Sequence, residues 1–251
     1  MNDPLMQVAE LLNHASRVLV ITGAGVSAES GIPTFRGSTT AFPKGLTEEG
    51  IPFEEALSGP SFLRYPELSW KYFFQLERGL RGKQPNEAHE AIAAFERAGR
   101  AVCVATQNID GLHQQAGSRE VIELHGNMQK LVCTQCAYGA ERVFFDTLPA
   151  LPLCPKCQGI LRPDIVLYEE RLPEEALERF VIEQARGFDL AFSIGTTSVF
   201  PYVVQPLLKA ARQGIPTIEI NPEDTPLSDV VTFRFQQPAG NVLKNLLRAV
   251  S

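Results

Sequence analysis

Four of the five cysteines fall into two close pairs whose spacing is typical of a metal site. Two residues separate Cys133 from Cys136, and after 17 intervening residues Cys154 and Cys157 repeat that spacing. Thiolates spaced in this way form two tight turns that hold one tetrahedral zinc ion. Because four thiolates leave no position for water, we predict one structural Zn²⁺ rather than a catalytic ion. The remaining Cys103 is interpreted as a small buried apolar residue.

A glycine-rich turn follows the apolar run Val18–Thr22. The segment Gly23–Ala28 fits the pattern G-x-G-x-x-G/A, in which the backbone approaches a pyrophosphate closely and amide groups face its charge. Tight strand-to-helix turns without a ligand show the same pattern. Because Glu29–Pro33 stops any helix after about one turn, we expect a loop to cover a dinucleotide. Phe35 and Arg36 in that loop suit shielding the ligand and contacting its phosphates.

Polar side chains follow several apolar runs. Gln107, Asn108 and Asp110 come after one run, and His125 follows the next. Two later runs are followed by small, hydroxyl, amide and carboxylate residues, namely Gly195, Thr196, Thr197, Ser198, Asn221, Pro222 and Glu223. Such groups also serve as helix caps, and a lone histidine is often structural. If the runs are parallel strands, their carboxyl ends share one edge, where the groups converge on one ligand and His125 acts as a base.

Short apolar runs rich in β-branched residues predict the strands that position these groups. In most of these runs apolar and polar residues do not alternate, which indicates that both faces of the strand are buried. The runs are Arg17–Thr22, Ala101–Thr106, Val121–Leu124, Asp164–Leu167, Leu190–Ile194, Thr217–Ile220 and Val231–Phe235. Helical patterns between them, at 6–14, 88–95 and 177–184, predict an α/β fold with a parallel sheet. His14 and His89 lie within these helical patterns and are assigned to packing or capping.

Two stretches interrupt this alternation and are interpreted as insertions that form a smaller domain. They are Ser38–Gln84, which is rich in aromatic residues, and Asn127–Leu161, which carries the paired cysteines. The net charge of −6 disfavours a general nucleic-acid surface. The sequence shows neither a leader pattern nor an apolar run long enough to span a membrane, so we expect a soluble, cytoplasmic protein.

Taken together, these motifs resemble the sirtuin family. The resemblance extends over nearly the whole chain, and its long motifs occur in a fixed order. They are GAGVSAESGIPTFRG at 23–37, TQNIDGLH at 106–113, ELHG at 123–126, the four cysteines, RPDIV at 162–166, GTTS at 195–198 and NPE at 221–223.

The resemblance implies an NAD-dependent protein-lysine deacylase, above all a deacetylase, that transfers the acyl group to ADP-ribose and releases nicotinamide. It implies a single catalytic region over residues 1–251. The large domain would be a Rossmann-like parallel sheet with helices on both faces, formed by 1–37, 85–126 and 162–251. The smaller zinc-binding domain would consist of a helical insertion, 38–84, and a zinc insertion, 127–161.

The resemblance also implies a role for each matching residue. His125 would act as the base on a hydroxyl of the nicotinamide ribose, with Asn108 and Asp110 as its catalytic partners. The NAD-binding residues would be Gly23, Ala24, Gly25, Ala28, Glu29, Thr34, Phe35, Arg36, Gln107, Asn108, Ile109, Asp110, Gly195, Thr196, Ser198, Asn221, Pro222, Glu223 and Ala239. Val166, Leu167, Tyr168, Phe73 and Leu76 would contact the substrate, and Cys133, Cys136, Cys154 and Cys157 would bind zinc.

The sequence departs from the family pattern at two places. Glu169 replaces a glycine in the strip that pairs with the substrate peptide, where its charge would narrow the cleft or repel acidic substrates. Relatives that prefer succinyl groups carry Tyr and Arg at the positions of Phe73 and Leu76. We therefore expect acetyl or longer apolar acyl groups rather than succinyl groups.

Two other functions remain open on the sequence. Mono-ADP-ribosyl transfer or NAD hydrolysis would use the same ribosyl carbon, and the charge of Glu169 is the reason to consider them. The other is a nucleotide-sensing or zinc-ribbon binding module, which would bind its ligand without catalysing a reaction. The expected partners are acyl-lysine proteins or peptides, with neither nucleic acid nor membrane, and the expected oligomeric state is a monomer.

Overall fold

Two β-sheets organise the chain. The computed structural model describes residues 3–34 and 46–250. The strands are β1 (Arg17–Thr22), β2 (Ala101–Thr106), β3 (Val121–Glu123), β4 (Gly126–Cys133), β5 (Gly139–Ala140), β6 (Leu161–Ile165), β7 (Leu190–Ile194), β8 (Thr217–Ile220) and β9 (Phe233–Phe235). The helices are α1 (Pro4–His14), α2 (Ala24–Ser27), α3 (Phe53–Ala56), α4 (Gly59–Arg64), α5 (Pro66–Leu80), α6 (Glu87–Arg97), α7 (Leu112–Ala116), α8 (Glu174–Ala185), α9 (Pro201–Arg212) and α10 (Ala239–Ala249).

The larger sheet is parallel and has the strand order β3-β2-β1-β7-β8-β9. Strands β2 and β3 lie on one side of β1, and β7, β8 and β9 lie on the other. The direction in which strands are added to the sheet therefore reverses between β1 and β7. In open parallel sheets, a ligand crevice forms at the carboxyl ends of the strands next to such a reversal. The fold therefore places the loops after β1 and β7 side by side.

Helices cover both faces of this sheet, as predicted. Val18 and Val20 of β1 pack into a core with α1, α6 and α10. Leu19 and Ile21 of the same strand pack on the opposite face with α8 and α9. Successive side chains of a strand point to opposite faces, so a strand buried on both sides has no polar alternation.

Local signals explain where several helices begin. The Asp3 side chain accepts from the Leu5 amide, and Pro4 occupies the first position of α1. Asn86 and His89 form a reciprocal capping box at the start of α6. His89 thus has the capping role expected of it. In the described ranges, none of the helices combines the length and the apolar character that crossing a membrane requires.

The smaller sheet is antiparallel, in the order β5-β4-β6. Its core includes the aromatic residues of α5, and the Trp70 indole donates to the Leu161 carbonyl at 2.8 Å. The prediction of a strand at Asp164–Leu167 in the parallel sheet was wrong. The observed strand β6 begins three residues earlier and pairs with β4. The division into domains stays a prediction, and this pairing favours a boundary after Ile165.

Candidate active site

A cavity of about 790 Å³ lies at the carboxyl ends of the parallel strands. Its wall includes the loops that follow β1, β2, β3, β7 and β8, and it continues to apolar residues of the smaller core. The volume falls within the range of about 300–1,000 Å³ that is usual for ligand and cofactor sites. One continuous space is therefore available to a nucleotide at the sheet and to an apolar group beyond it.

The glycine-rich loops after β1 and β7 contact each other directly. The Gly25 amide donates to the Gly195 carbonyl at 2.8 Å. Gly195 has a φ of 59°, and a Cβ at this residue would lie 2.4 Å from the Val26 nitrogen. Close packing of two backbones thus requires these glycines before any ligand is considered. Helix α2 ends after four residues and is followed by a 3₁₀ turn, Ala28–Ser30, as the early stop predicted.

A network of hydrogen bonds fixes the polar side chains at the end of β2. The Ser27 hydroxyl donates to Asp110 at 2.7 Å, and the Asn108 amide donates to Ser27 at 3.0 Å. Gln107 reaches across to the Thr196 hydroxyl at 2.9 Å. Burial raises the pKa of Asp110, although its bonds to Ser27 and to the Leu112 amide oppose that rise. The amide and carboxylate groups therefore have defined orientations in the cavity wall.

His125 lies between β3 and β4, with its ring in the same cavity wall. Burial lowers the pKa of His125 from its ordinary value of 6.5, against a hydrogen bond to the Gln107 backbone that raises it. The ring Nε2 is 2.7 Å from the Tyr202 hydroxyl oxygen. The next residue, Gly126, has a φ of 77°, and a Cβ there would lie 1.9 Å from the Asp164 carbonyl oxygen. A neutral imidazole is thus presented at the point where the two sheets meet.

Two predicted nucleotide-site residues join distant segments of the chain. The Asn221 amide donates to the Thr196 carbonyl at 2.8 Å, which links the loops after β7 and β8. The Glu29 carboxylate accepts from the Gly240 amide at 2.7 Å, in the first turn of α10. A carboxylate is favourable at this end of a helix because the first amide groups have no partner within the helix. These bonds hold the cavity wall in one arrangement.

The end of the cavity next to the smaller core is apolar. Its wall contains Leu57, Leu76, Leu80, Ile165 and Leu167. Within the described ranges, the wall of the whole cavity carries no lysine or arginine, whereas it includes six carboxylate side chains. An apolar group entering this end would be buried favourably, and an anionic one would meet no cation from these residues.

The strip Val166–Tyr168 follows β6 and is held by backbone hydrogen bonds to His125 and to the segment that follows α3. The Val166 amide donates to the His125 carbonyl, and Tyr168 pairs through both backbone groups with Leu57 and Gly59. The strip then turns at Glu169, whose φ of 67° lies in the left-handed region that favours glycine. The side chain of Glu170 fixes this turn through Arg162 and the Leu167 amide. The replacement of the family's glycine by Glu169 therefore strains the backbone as well as adding a negative charge.

We expect Glu169→Gly to raise the free energy of unfolding by about 0.5–1 kcal/mol, because glycine adopts a positive φ without strain but has more freedom when unfolded. Chemical denaturation of the two proteins measures the difference. Glu169→Ala is the matched control, since it removes the charge and keeps a side chain in the left-handed region. Equal stabilisation by the two variants would mean that charge, not backbone strain, is responsible.

The four paired cysteines meet at one place. Their Sγ atoms all lie within 4.8 Å of one another, and the Cys133–Cys157 and Cys136–Cys154 sulfur distances are 3.4 and 3.7 Å. A tetrahedral zinc ion with Zn–S bonds of about 2.3 Å separates its sulfur ligands by about 3.8 Å. The donor set and its spacing therefore fit one structural zinc ion. Cys103 is buried in the large-sheet core, as interpreted.

The cavity wall contains every predicted catalytic and nucleotide-binding residue of the described ranges except Ser198. Ser198 is 1% exposed and lies 3.4 Å from the Ser193 hydroxyl. Its neighbour Thr197 lines the cavity in its place. Of the predicted substrate residues, Phe73 is absent from the wall, because it packs against Trp70 in the smaller core. Phe35 and Arg36 lie outside the described residues.

The wall also contains side chains that were not among the predicted binding residues. Thr197 was named with the polar residues that follow the strands, but the binding role was assigned to Ser198 in the same GTTS run, and only the direction of the side chains separates the two. Tyr202 follows Pro201 at the start of α9, and its bond to His125 joins residues 77 positions apart. A proline at the first position of a helix signals the helix start, but the sequence does not reveal what the next side chain contacts.

The fold and the site define an α/β nucleotide-binding protein with a four-thiolate metal module. Residues 23–201 match the Sir2 family. NAD-dependent protein deacylase 2 of Pseudomonas aeruginosa is 43% identical over 251 residues, covering 98% of this chain and 97% of the relative. The chain therefore belongs to the Sir2 family, and its resemblance to sirtuins is confirmed.

Solved structures of Sir2 homologues share the whole arrangement. A substituted Sir2 homologue in complex with 2′-O-acetyl-ADP-ribose superposes with a TM-score of 0.87 at 37% identity, covering 100% of this chain and 96% of that one. A Sir2 homologue in complex with NAD gives 0.86 at 37% identity, covering 96% and 92%. The expected α/β fold with its small metal module is thus confirmed.

Proposed function

We propose that this protein is an NAD-dependent protein-lysine deacylase that transfers the acyl group to ADP-ribose and releases nicotinamide. The observation that carries the proposal is the single cavity in which a neutral histidine lies between a polar wall at the sheet and an apolar wall from the smaller core. The deacylase relative and the acetyl-ADP-ribose complex of a homologue support the same reaction.

The residues at the strand ends fit NAD. Ala24 and Gly25 line the cavity together with Gln107 and Asn221, and the backbone of the first two and the side chains of the last two would hold the phosphates and sugars. Phe35 and Arg36 are proposed to cover the site. When bound, NAD supplies a ribosyl carbon attached to nicotinamide, which leaves as a neutral molecule. Asn108 and Asp110, held by Ser27, would orient the sugar and exclude stray water.

His125 supplies the proton acceptor. Its lowered pKa keeps the ring unprotonated near neutral pH, so Nε2 has a lone pair for a sugar hydroxyl proton. Removing that proton makes the hydroxyl oxygen a better nucleophile toward the transferred acyl group. The acyl-lysine would enter along the strip Val166–Tyr168, which lines the cavity and whose first amide donates to the His125 carbonyl. Acid–base catalysis of this kind contributes about 10²–10⁴-fold to a rate.

The apolar end of the cavity sets the preferred acyl group. We expect acetyl-lysine peptides to be turned over at least about 30-fold more efficiently than succinyl-lysine peptides, because burying an unpaired carboxylate costs about 2 kcal/mol or more. Values of kcat/KM for peptides of one sequence measure this ratio. Leu76→Arg places a cation in the wall and should shift the ratio toward succinyl. Faster turnover of succinyl by the unchanged protein would contradict the expectation.

Mass spectrometry of the products from NAD and a panel of acyl-lysine peptides tests the proposed function. Acyl-ADP-ribose and deacylated peptide are the expected products. ADP-ribosylated protein, or free ADP-ribose formed without an acyl peptide, would instead support transfer to a side chain or NAD hydrolysis. Binding of NAD without any product would support a sensing or binding module. A cytoplasmic location, a monomeric state and the absence of nucleic-acid and membrane partners stay predictions.

A further inference from the structure

The first turn of α9 places a phenol against the ring of His125. The Tyr202 hydroxyl oxygen lies 2.7 Å from the ring Nε2. The His125 and Tyr202 ring centroids are 6.0 Å apart at an interplanar angle of 77°. An edge-on approach of this kind places the phenol oxygen in line with a ring nitrogen rather than over the ring face. The contact is therefore a directed hydrogen bond.

The start of α9 explains why Tyr202 reaches this position. Pro201 occupies the first position of the helix, where its fixed φ suits the first turn. Val203 is fully buried and packs α9 against the sheet. Phe200 stacks on Tyr202, with centroids 5.4 Å apart and an interplanar angle of 12°. The phenol ring is therefore held by packing that does not depend on its hydroxyl group.

The direction of this bond follows from the protonation of the two groups. A tyrosine keeps its hydroxyl proton near neutral pH. Burial lowers the pKa of His125, so the ring is neutral near neutral pH and one of its two nitrogens is unprotonated. In the tautomer with an unprotonated Nε2, Tyr202 donates and Nε2 accepts, and the bond fixes the orientation of the ring.

We infer that Tyr202 is a positioning residue that keeps the Nε2 lone pair of His125 oriented at the cavity wall while a sugar hydroxyl approaches it. The inference rests on the proposed role of His125 as the base. A phenol that keeps the neutral ring oriented reduces the number of unproductive orientations that the ring samples before it accepts the proton. Tyr202 thereby acts on the step that needs a proton acceptor and on no other step.

Tyr202→Phe tests this inference, because it keeps the ring stack with Phe200 and removes only the hydroxyl. We expect kcat for acyl-ADP-ribose formation to fall about five- to tenfold, as loss of one orienting hydrogen bond gives. The KM for NAD and the exchange of labelled nicotinamide into NAD should stay within about twofold, since neither needs the base. Tyr65→Phe, at an exposed tyrosine, is the matched control.

A second measurement examines the ring itself in the protein without nucleotide. The chain has four histidines, so the ¹⁵N spectrum of the imidazole nitrogens is simple, and His125→Ala assigns the His125 signals. In Tyr202→Phe the Nε2 signal of His125 should move, while those of His14, His89 and His113 stay in place. This readout does not depend on turnover.

The outcomes separate the two proposals. Unchanged His125 signals, or product formation equal to that of the unchanged protein, would overturn the role of Tyr202. A parallel fall in nicotinamide exchange and product formation would also overturn it, because Tyr202 would then act through nucleotide binding. If the unchanged protein forms no acyl-ADP-ribose, the proposed function fails, and the ¹⁵N comparison still decides whether Tyr202 orients the ring.

Discussion

His125→Ala is expected to lower the rate of acyl-ADP-ribose formation by about 10²–10⁴-fold, because the variant lacks the proposed proton acceptor in the cavity wall. The exchange of labelled nicotinamide into NAD should fall by less than about tenfold, since release of nicotinamide needs no base. Steady-state product formation and the exchange assay, run on the same preparation, measure the two effects. The difference between them separates the loss of a base from the loss of a folded site.

His14→Ala is the matched control for this experiment. His14 lies at the exposed end of α1, where its ring bonds only to the Glu10 carbonyl in the structure described. We expect this variant to keep the activity of the unchanged protein. If His125→Ala formed product at an unreduced rate, His125 would not be the base, and another group in the cavity wall would have to accept the proton.

Cys154→Ser is expected to have the largest effect on stability. Cys154 is fully buried in the smaller core, and its thiolate is one of the four proposed zinc ligands. Zinc content should fall from one ion per chain to a small fraction. The melting temperature should fall by at least about 10 °C, as loss of about 4 kcal/mol of metal binding energy gives in a chain of this size. Elemental analysis and calorimetry measure the two quantities.

The remaining cysteine provides the control for zinc loss. Cys103→Ala removes a buried thiol from the large-sheet core, so it creates a small cavity but no change at the metal module. Its zinc content should stay at one ion per chain. A Cys154→Ser protein that kept its zinc and its melting temperature would show that the four thiols do not form a structural metal site.

The large sheet was predictable because each of its central strands is a continuous apolar run that can be recognised without knowing its partners. Runs such as Arg17–Thr22 and Leu190–Ile194 are buried on both faces, so they read as continuous apolar segments in any context. The error at Asp164–Leu167 has the opposite cause. Burial alternates along the observed strand, Leu161–Ile165, which contains a proline and pairs with a strand of the zinc module. A partner that distant in sequence leaves no local pattern.

The site was predictable to the extent that strand ends position it. Asp110 and His125 lie in the cavity wall because parallel strands end at one edge. The choice between Thr197 and Ser198 depended on how the loop turns. Gly195 and Ser198 both have positive φ values, of 59° and 51°, and this backbone form directs Ser198 into the core. A sequence pattern gives the order of hydroxyl groups but not the dihedral angles between them.

The hydrogen bonds of the strip Val166–Tyr168 affect which substrate segments would bind most readily. Its backbone is already bonded to His125, Leu57 and Gly59, and the Glu170–Arg162 pair fixes the turn that follows. The enzyme side of such a complex therefore loses little conformational entropy when a flexible segment docks. The incoming chain bears nearly the whole ordering cost, so acylated lysines in disordered termini and long loops are more accessible targets than those held in helices.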